Sequence, residues 1–216
     1  MYEYIFFDLD GTLTDSKEGV LACIRYAIAS LNAPVPEDPD LLKFIGPPLQ
    51  ESFMEYCGFD RETALTALRR FQERYVSAEL FNNRPAPGIA EMLARLKARG
   101  RTLALASSKA ESQCVSICDH FGFTPHLAAI AGSGAQGDWS KADVLREAMA
   151  RLCLKDPSRG LMVGDRKYDV AGARACGMDC VGVEFFGYAP PGELEEAGAV
   201  AVVQTTAELE KYILSH

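Results

Sequence analysis

The chain has 216 residues, 48% of them hydrophobic and 24% charged, and 30 acids against 22 lysines and arginines give a net charge of −8. A chain of this size and composition builds a core without disulfides or a structural metal, and its length points to one large domain plus a small insertion. The acidic balance argues against a nucleic-acid polymer as partner, which needs a basic surface, and against docking on an anionic membrane.

The first element is the apolar strand Tyr4-Ile5-Phe6-Phe7. No basic stretch precedes it and Asp8 ends it, so no targeting signal is expected. No apolar run approaches the roughly 18 residues of a membrane helix. Seven cysteines, an odd number spread over predicted helices and strands, read as reduced thiols and predict a cytoplasmic protein. The spacings Cys114/Cys118 and Cys176/Cys180 have no clustered histidines beside them, so these thiols read as small buried apolar groups.

Residues 16–80 contain no strand pattern. Val20, Ile24, Ile28 and Leu31 recur at helical spacing, and Pro34, Pro36 and Pro39 break the chain after them. Leu49, Phe53 and Tyr56 predict a second helix that stops at Gly58. Asp60 can cap a third, which carries Leu65, Leu68, Phe71 and Tyr75. From Gly88 onward, short apolar strands alternate with helices. Helices are predicted over 88–99, 110–121, 141–152, 170–176 and 206–214. Strands are predicted over 102–106, 127–131, 161–163, 180–183 and 200–203. Strands buried on both faces and alternating with helices predict a doubly wound parallel α/β sheet, whose ligand site lies beyond the carboxyl ends of its strands. The expected division is a Rossmann-like core of residues 1–14 and 86–216 with an all-helical insertion over 15–85.

Chemistry concentrates at those strand ends. Asp8-Leu9-Asp10-Gly11-Thr12 follows the first strand. Two carboxylates two residues apart project to the same side of an extended chain, and they need a cation or proton between them. Gly164-Asp165-Arg166-Lys167-Tyr168-Asp169 follows the strand over 161–163, with Asp169 one helical turn past Asp165. Together the four acids make an oxygen-only pocket suited to a hard, magnesium-like cation. Ser107-Ser108-Lys109 places hydroxyls at a strand end, next to a predicted helix N-terminus, which favours phosphate. Lys141 sits in a first helical turn, against the macrodipole, behind a capping-box-like Ser140-x-x-Asp143.

These motifs, in this order, resemble the haloacid dehalogenase-like superfamily of phosphotransferases, and the resemblance spans essentially the whole chain. The insertion point after the first motif is similar to that of a helical C1-type cap. Within the superfamily the chain looks most like phosphoglycolate-phosphatase-type enzymes, and closer still like a branch described as 5′-nucleotidase-like. That branch is suggested by Asp10–Ser16, Phe44–Leu49, Ala106–Lys109, Val163–Val170 and Glu193–Ala199. Arg166 fits it better than it fits phosphoglycolate phosphatases, which commonly carry a small residue at that position.

The resemblance implies roles. Asp8 would be the nucleophile and form an aspartyl phosphate. Asp10 would be the general acid for the leaving alcohol, then the base for water. Mg²⁺ would be held by Asp8, the Asp10 carbonyl, Asp165 and Asp169. Lys141 would pair with Asp8 and a phosphoryl oxygen. Ser107, with Ser108, Lys109 and the segment at Gly11 and Thr12, would bind the phosphate. The cap would close over the site and read the leaving group, with Lys43 or Gln50 projected by the Gly46-Pro47-Pro48 turn and Tyr188 near the mouth.

Asp10 disfavours carbon–halogen cleavage, which needs no leaving-group proton. The expected activity is Mg²⁺-dependent hydrolysis of a small phosphate monoester, a nucleoside monophosphate or a phosphoglycolate-like compound, by a monomer or homodimer. A phosphosugar mutase on the same scaffold and a non-catalytic phospho-acceptor module are the alternatives. The mutase is disfavoured because Gly19-Val20 stands where related mutases carry a cap histidine.

Overall fold

The computed structural model describes residues 1–45, 49–134 and 139–216. The Gly46-Pro47-Pro48 turn lies outside the described residues. β1 (Tyr4–Phe7) leads to the two-residue β2 (Thr14–Asp15). Then come α1 (Lys17–Ala29), α2 (Asp38–Leu41), α3 (Leu49–Cys57) and α4 (Arg61–Arg74), the last continuing as a π-helical turn, Tyr75–Glu79. β3 (Arg84–Pro85) precedes α5 (Ile89–Ala98), β4 (Thr102–Ala110), α6 (Glu111–His120), β5 (Ala129–Ser133) and α7 (Lys141–Arg151). The chain ends with β6 (Gly160–Gly164), α8 (Lys167–Ala175), β7 (Asp179–Val183), α9 (Glu193–Ala197), β8 (Ala201–Val203) and α10 (Thr206–Ser215). Among the described residues, no helix is long and apolar enough to cross a membrane.

The chain divides into two compact units, residues 1–15 with 85–216 and residues 16–84. In the first, six strands form one sheet in the order β5-β4-β1-β6-β7-β8, and every pairing is parallel. β1 lies at the middle because Ile5, Phe6 and Phe7 are all fully buried, as a strand covered on both faces must be. Phe6 and Met162 look to one face, where Val144, Leu145 and Ala148 of α7 and Val170 and Ala173 of α8 cover them. The chain goes from β1 to β4 and β5 on one side and then to β6 on the other. The switch point of the sheet is therefore the crevice between β1 and β6, where ligands bind in such folds. Register aligns the strand ends there: Phe7 pairs with Leu105 and with Val163, and Asp8 N–H donates to Val163 O at 2.9 Å.

The second unit is all-helical, with a core of its own. Leu21, Ile24 and Ile28 of α1 pack with Leu41, Phe44, Phe53, Ala64 and Ala67. Phe44 meets Phe53 and Tyr56 edge-on, with ring centroids 5.5 and 5.2 Å apart. Asp60 caps α4, its carboxylate accepting from Thr63 N–H at 2.8 Å.

Four expectations need correction. β4 does not stop at Ala106 but continues to Ala110, with its register to β5 shifting between Ser107 and Ala110. Ser107 and Ser108 therefore lie within an irregular strand, and the helix behind them starts only at Glu111. β5 begins two residues late because Thr124–His126 form a 3₁₀ turn. α8 begins three residues early: its polar first turn shows no apolar periodicity, yet carboxylates satisfy its leading amides. Pro39 does not break the chain but stands in the first turn of α2, where a missing N–H costs nothing.

Candidate active site

The segment after β1 turns sharply. Leu9 O accepts from the amides of Thr12, Leu13 and Thr14, and Gly11 N–H donates to Thr14 O at 2.7 Å. Gly11 has φ 81, and a Cβ there would stand 2.1 Å from Asp165 Oδ2. Only glycine both adopts this backbone and leaves room for that carboxylate. Gly11 and Thr12, expected at the substrate, thus spend their amides inside the turn. The Thr12 hydroxyl is buried and donates to Asp165 Oδ1 at 3.3 Å.

Three carboxylates meet above the crevice. Asp8, Asp165 and Asp169 each offer an oxygen, all within 4.8 Å of one another. Lys141, at the start of α7, reaches into the same place. Its Nζ lies 2.7 Å from Asp8 Oδ1, 2.8 Å from Asp169 Oδ1 and 3.1 Å from Ala106 O, which anchors it on β4. The capping box Ser140–Asp143 fixes the start of α7 and so aims the lysine inward. The resemblance implies that Lys141 pairs with Asp8 and a phosphoryl oxygen. Its bridge to Asp169 appears only when α7 and α8 pack side by side.

Burial governs the charges. It pushes the Asp8 carboxyl up to about 6, and the Lys141 ammonium only partly opposes it. Asp165 is raised well above the carboxylate range by burial first, then by Asp169 and Asp8. Burial works against the charged form of Lys141, but Asp169 and Asp8 outweigh it and hold the ammonium above its ordinary range. Three acids against one buried cation leave an excess of negative charge. Asp165 Oδ2 is buried and finds no hydrogen-bond donor among the described residues. Oxygen donors, surplus negative charge and one orphaned carboxylate oxygen fit a hard divalent cation.

Asp10 stands apart from this cluster. Its Oδ2 pairs with Lys109 Nζ at 2.9 Å, and its Oδ1 is buried without a donor among the described residues. Ser107 is buried, Ser108 is exposed, and Ser107 Oγ accepts from Lys109 N–H at 3.4 Å. Among residues considered for specificity, Lys43 pairs with Asp40 at 2.7 Å, and the Tyr188 hydroxyl donates to Asp15. The missed residue is Glu193, which grips Arg166 beside Asp165 at 2.8 Å. A pairing across 27 positions leaves no periodic signal in the sequence.

Comparison with known proteins fits this geometry. Residues 5–183 match the haloacid dehalogenase-like hydrolase family. A 5′-nucleotidase of Pseudomonas aeruginosa is 37% identical over all of this chain and 97% of its own length. A phosphoglycolate phosphatase of Mesorhizobium japonicum is 31% identical, with 84% of this chain and 82% of that protein covered. Tyrosine-protein kinase PtkA of Mycobacterium tuberculosis is 41% identical over 83% of this chain, but the match spans only 61% of that longer protein. Among solved structures, a Clostridium acetobutylicum protein described as a predicted phosphatase superimposes with a TM-score of 0.91 at 39% identity, with both chains fully covered. The chain belongs to the haloacid dehalogenase-like hydrolase family, and within it is a phosphatase.

Proposed function

We propose that the chain hydrolyses small phosphate monoesters through a phosphoryl group carried transiently on Asp8. One observation carries this reading: the Lys141 ammonium bridges Asp8 and Asp169 at 2.7 and 2.8 Å in a buried pocket that also holds Asp165.

In the proposed reaction an Asp8 carboxylate oxygen attacks phosphorus, and the bond from phosphorus to the ester oxygen breaks. Asp10 gives its proton to the departing alkoxide. A water molecule then attacks the phosphorus, Asp10 takes that proton, and phosphate leaves with the Asp8 carboxylate restored. Lys141 holds Asp8 in place, and the N–H that it gives to Ala106 O would turn to a phosphoryl oxygen when substrate binds. The Ser107 hydroxyl and Lys109 serve the other oxygens. Asp8, Asp165 and Asp169, with the Asp10 carbonyl, would hold Mg²⁺, which when bound neutralises the repulsion between a carboxylate nucleophile and an anionic substrate.

Nucleoside monophosphates and phosphoglycolate-like acids are the first substrates to try, because relatives carry the names 5′-nucleotidase and phosphoglycolate phosphatase. The test is phosphate release from a panel of such monoesters with Mg²⁺. Excess EDTA should abolish it, and Asp8→Asn should lower it by about a thousandfold or more. Turnover that survives both treatments contradicts the proposal.

A further inference from the structure

The loop that carries Asp165 and Asp169 also carries an arginine directly after Asp165. An arginine is an awkward neighbour for a cation site. Its guanidinium is always charged, and its planar fork fits a carboxylate with two parallel hydrogen bonds. Asp165 feels that positive charge, which works against the upward push from burial, Asp169 and Asp8.

The guanidinium is nevertheless engaged elsewhere. Arg166 Nε donates to Glu193 Oε1 at 2.8 Å and Nη2 donates to Glu193 Oε2 at 3.3 Å. The two side chains are only 14% and 10% exposed. Glu193 opens α9 straight after Gly192, whose left-handed φ of 81 turns the chain into the helix. The same Oε1 accepts from Lys167 N–H, a first-turn amide of α8, at 3.1 Å. One carboxylate from another helix thus binds the guanidinium and caps α8 at the end that carries Asp169. The Arg166 amide in turn donates to Asp169 Oδ2 at 3.1 Å. Burial opposes the ionised form of Glu193, yet Arg166 and the Lys167 amide hold its carboxyl below the usual range.

We propose that Glu193 is a positioning residue that draws the Arg166 guanidinium away from Asp165 and Asp169, keeping this acid pair available to a divalent cation. The inference rests on the metal reading of the site given above.

The test is Mg²⁺ binding to the full chain without substrate, followed by titration calorimetry. Glu193→Gln is expected to weaken binding about fivefold, because the released guanidinium competes for the acids. Glu193→Asp keeps the charge but loses the reach of one methylene, and is expected to weaken binding as much. Replacing Arg166 as well, in Arg166→Gln/Glu193→Gln, should restore the affinity to within about twofold of wild type. Arg166→Gln alone should bind at least as tightly as wild type, and this holds the proposal to account even if the Glu193 variants fold poorly. Wild-type affinity in Glu193→Asp, no recovery in the double variant, or weakened binding in Arg166→Gln overturns the proposal. A wild-type chain that binds no Mg²⁺ overturns the metal reading beneath it instead.

Discussion

Gly172 lies against the stem of Lys141, so close that a Cβ on Gly172 would stand 2.6 Å from Lys141 Cγ and 2.9 Å from its Cβ. The lysine crosses α8 at the one kind of residue that leaves it a passage, and so reaches Asp8 after β1 and Asp169 on α8. Gly172→Ala should gain about 1 kcal/mol of helix propensity. It loses about 1–3 kcal/mol to overpacking, because Lys141 or α8 must shift. A displaced ammonium no longer holds Asp8, so kcat should fall by about tenfold to a hundredfold while the fold persists. Steady-state kinetics beside circular dichroism checks this, and an unchanged kcat would show that the ammonium keeps its position despite the added methyl.

Removing the cation itself should cost more. Lys141→Met keeps most of the stem but leaves Asp8 and Asp169 without their buried counter-charge. Truncating one partner of a buried pair costs about 3–5 kcal/mol. Denaturant unfolding in EDTA at neutral pH should therefore show a loss of that order. Mg²⁺ should recover part of it, since a divalent cation can stand in for the ammonium among the same acids. A loss that Mg²⁺ does not reduce would separate Lys141 from the proposed metal site.

The raised acids also fix the sign of a pH dependence. Asp8 moves from 3.8 to about 6, and Asp165 moves up as well. Between about pH 4 and 6 the folded, metal-free protein thus retains protons that the unfolded chain has released. The contribution of these groups is fully present below their unfolded pKa and is lost as pH rises toward 6 and beyond. Lys141 is charged in both states over this window and does not alter the slope. In EDTA, the stability from this source should fall as pH rises from about 4 to 6, and Asp8→Asn should flatten the trend. Mg²⁺ affinity should run the other way, climbing with pH as the carboxylates ionise, with proton release on binding below about pH 6. Calorimetry in two buffers of different ionisation heat measures that release.

What the sequence disclosed follows from the range of each signal. The acids after β1 and β6 are legible because a buried strand has a recognisable end, and an acid there lies beyond the sheet. The fold is legible for the same reason: apolar strands such as Ile5–Phe7 and Leu161–Val163 read as buried on both faces. Apart from the family resemblance, Lys141 shows in the sequence as a charge on the wrong end of a helix dipole. Its burial depends on α7 packing against α8 and β4, which no local pattern encodes. The early start of α8 was hidden because its first turn is held by Asp169 and Glu193 rather than by apolar periodicity. The Glu193–Arg166 pair was out of reach altogether, since it depends on where a five-residue helix docks.

In the proposed reaction the phosphoryl group is held for part of each turnover on a carboxylate oxygen of Asp8. Rapid quenching during turnover, reduction with borohydride and peptide mass spectrometry read that directly, because an acyl phosphate is reduced to homoserine and a free carboxylate is not. Turnover should leave substrate-dependent homoserine at position 8 and nowhere else. Sustained turnover with Asp8 unreduced, or homoserine at another acid, would contradict the proposed reaction.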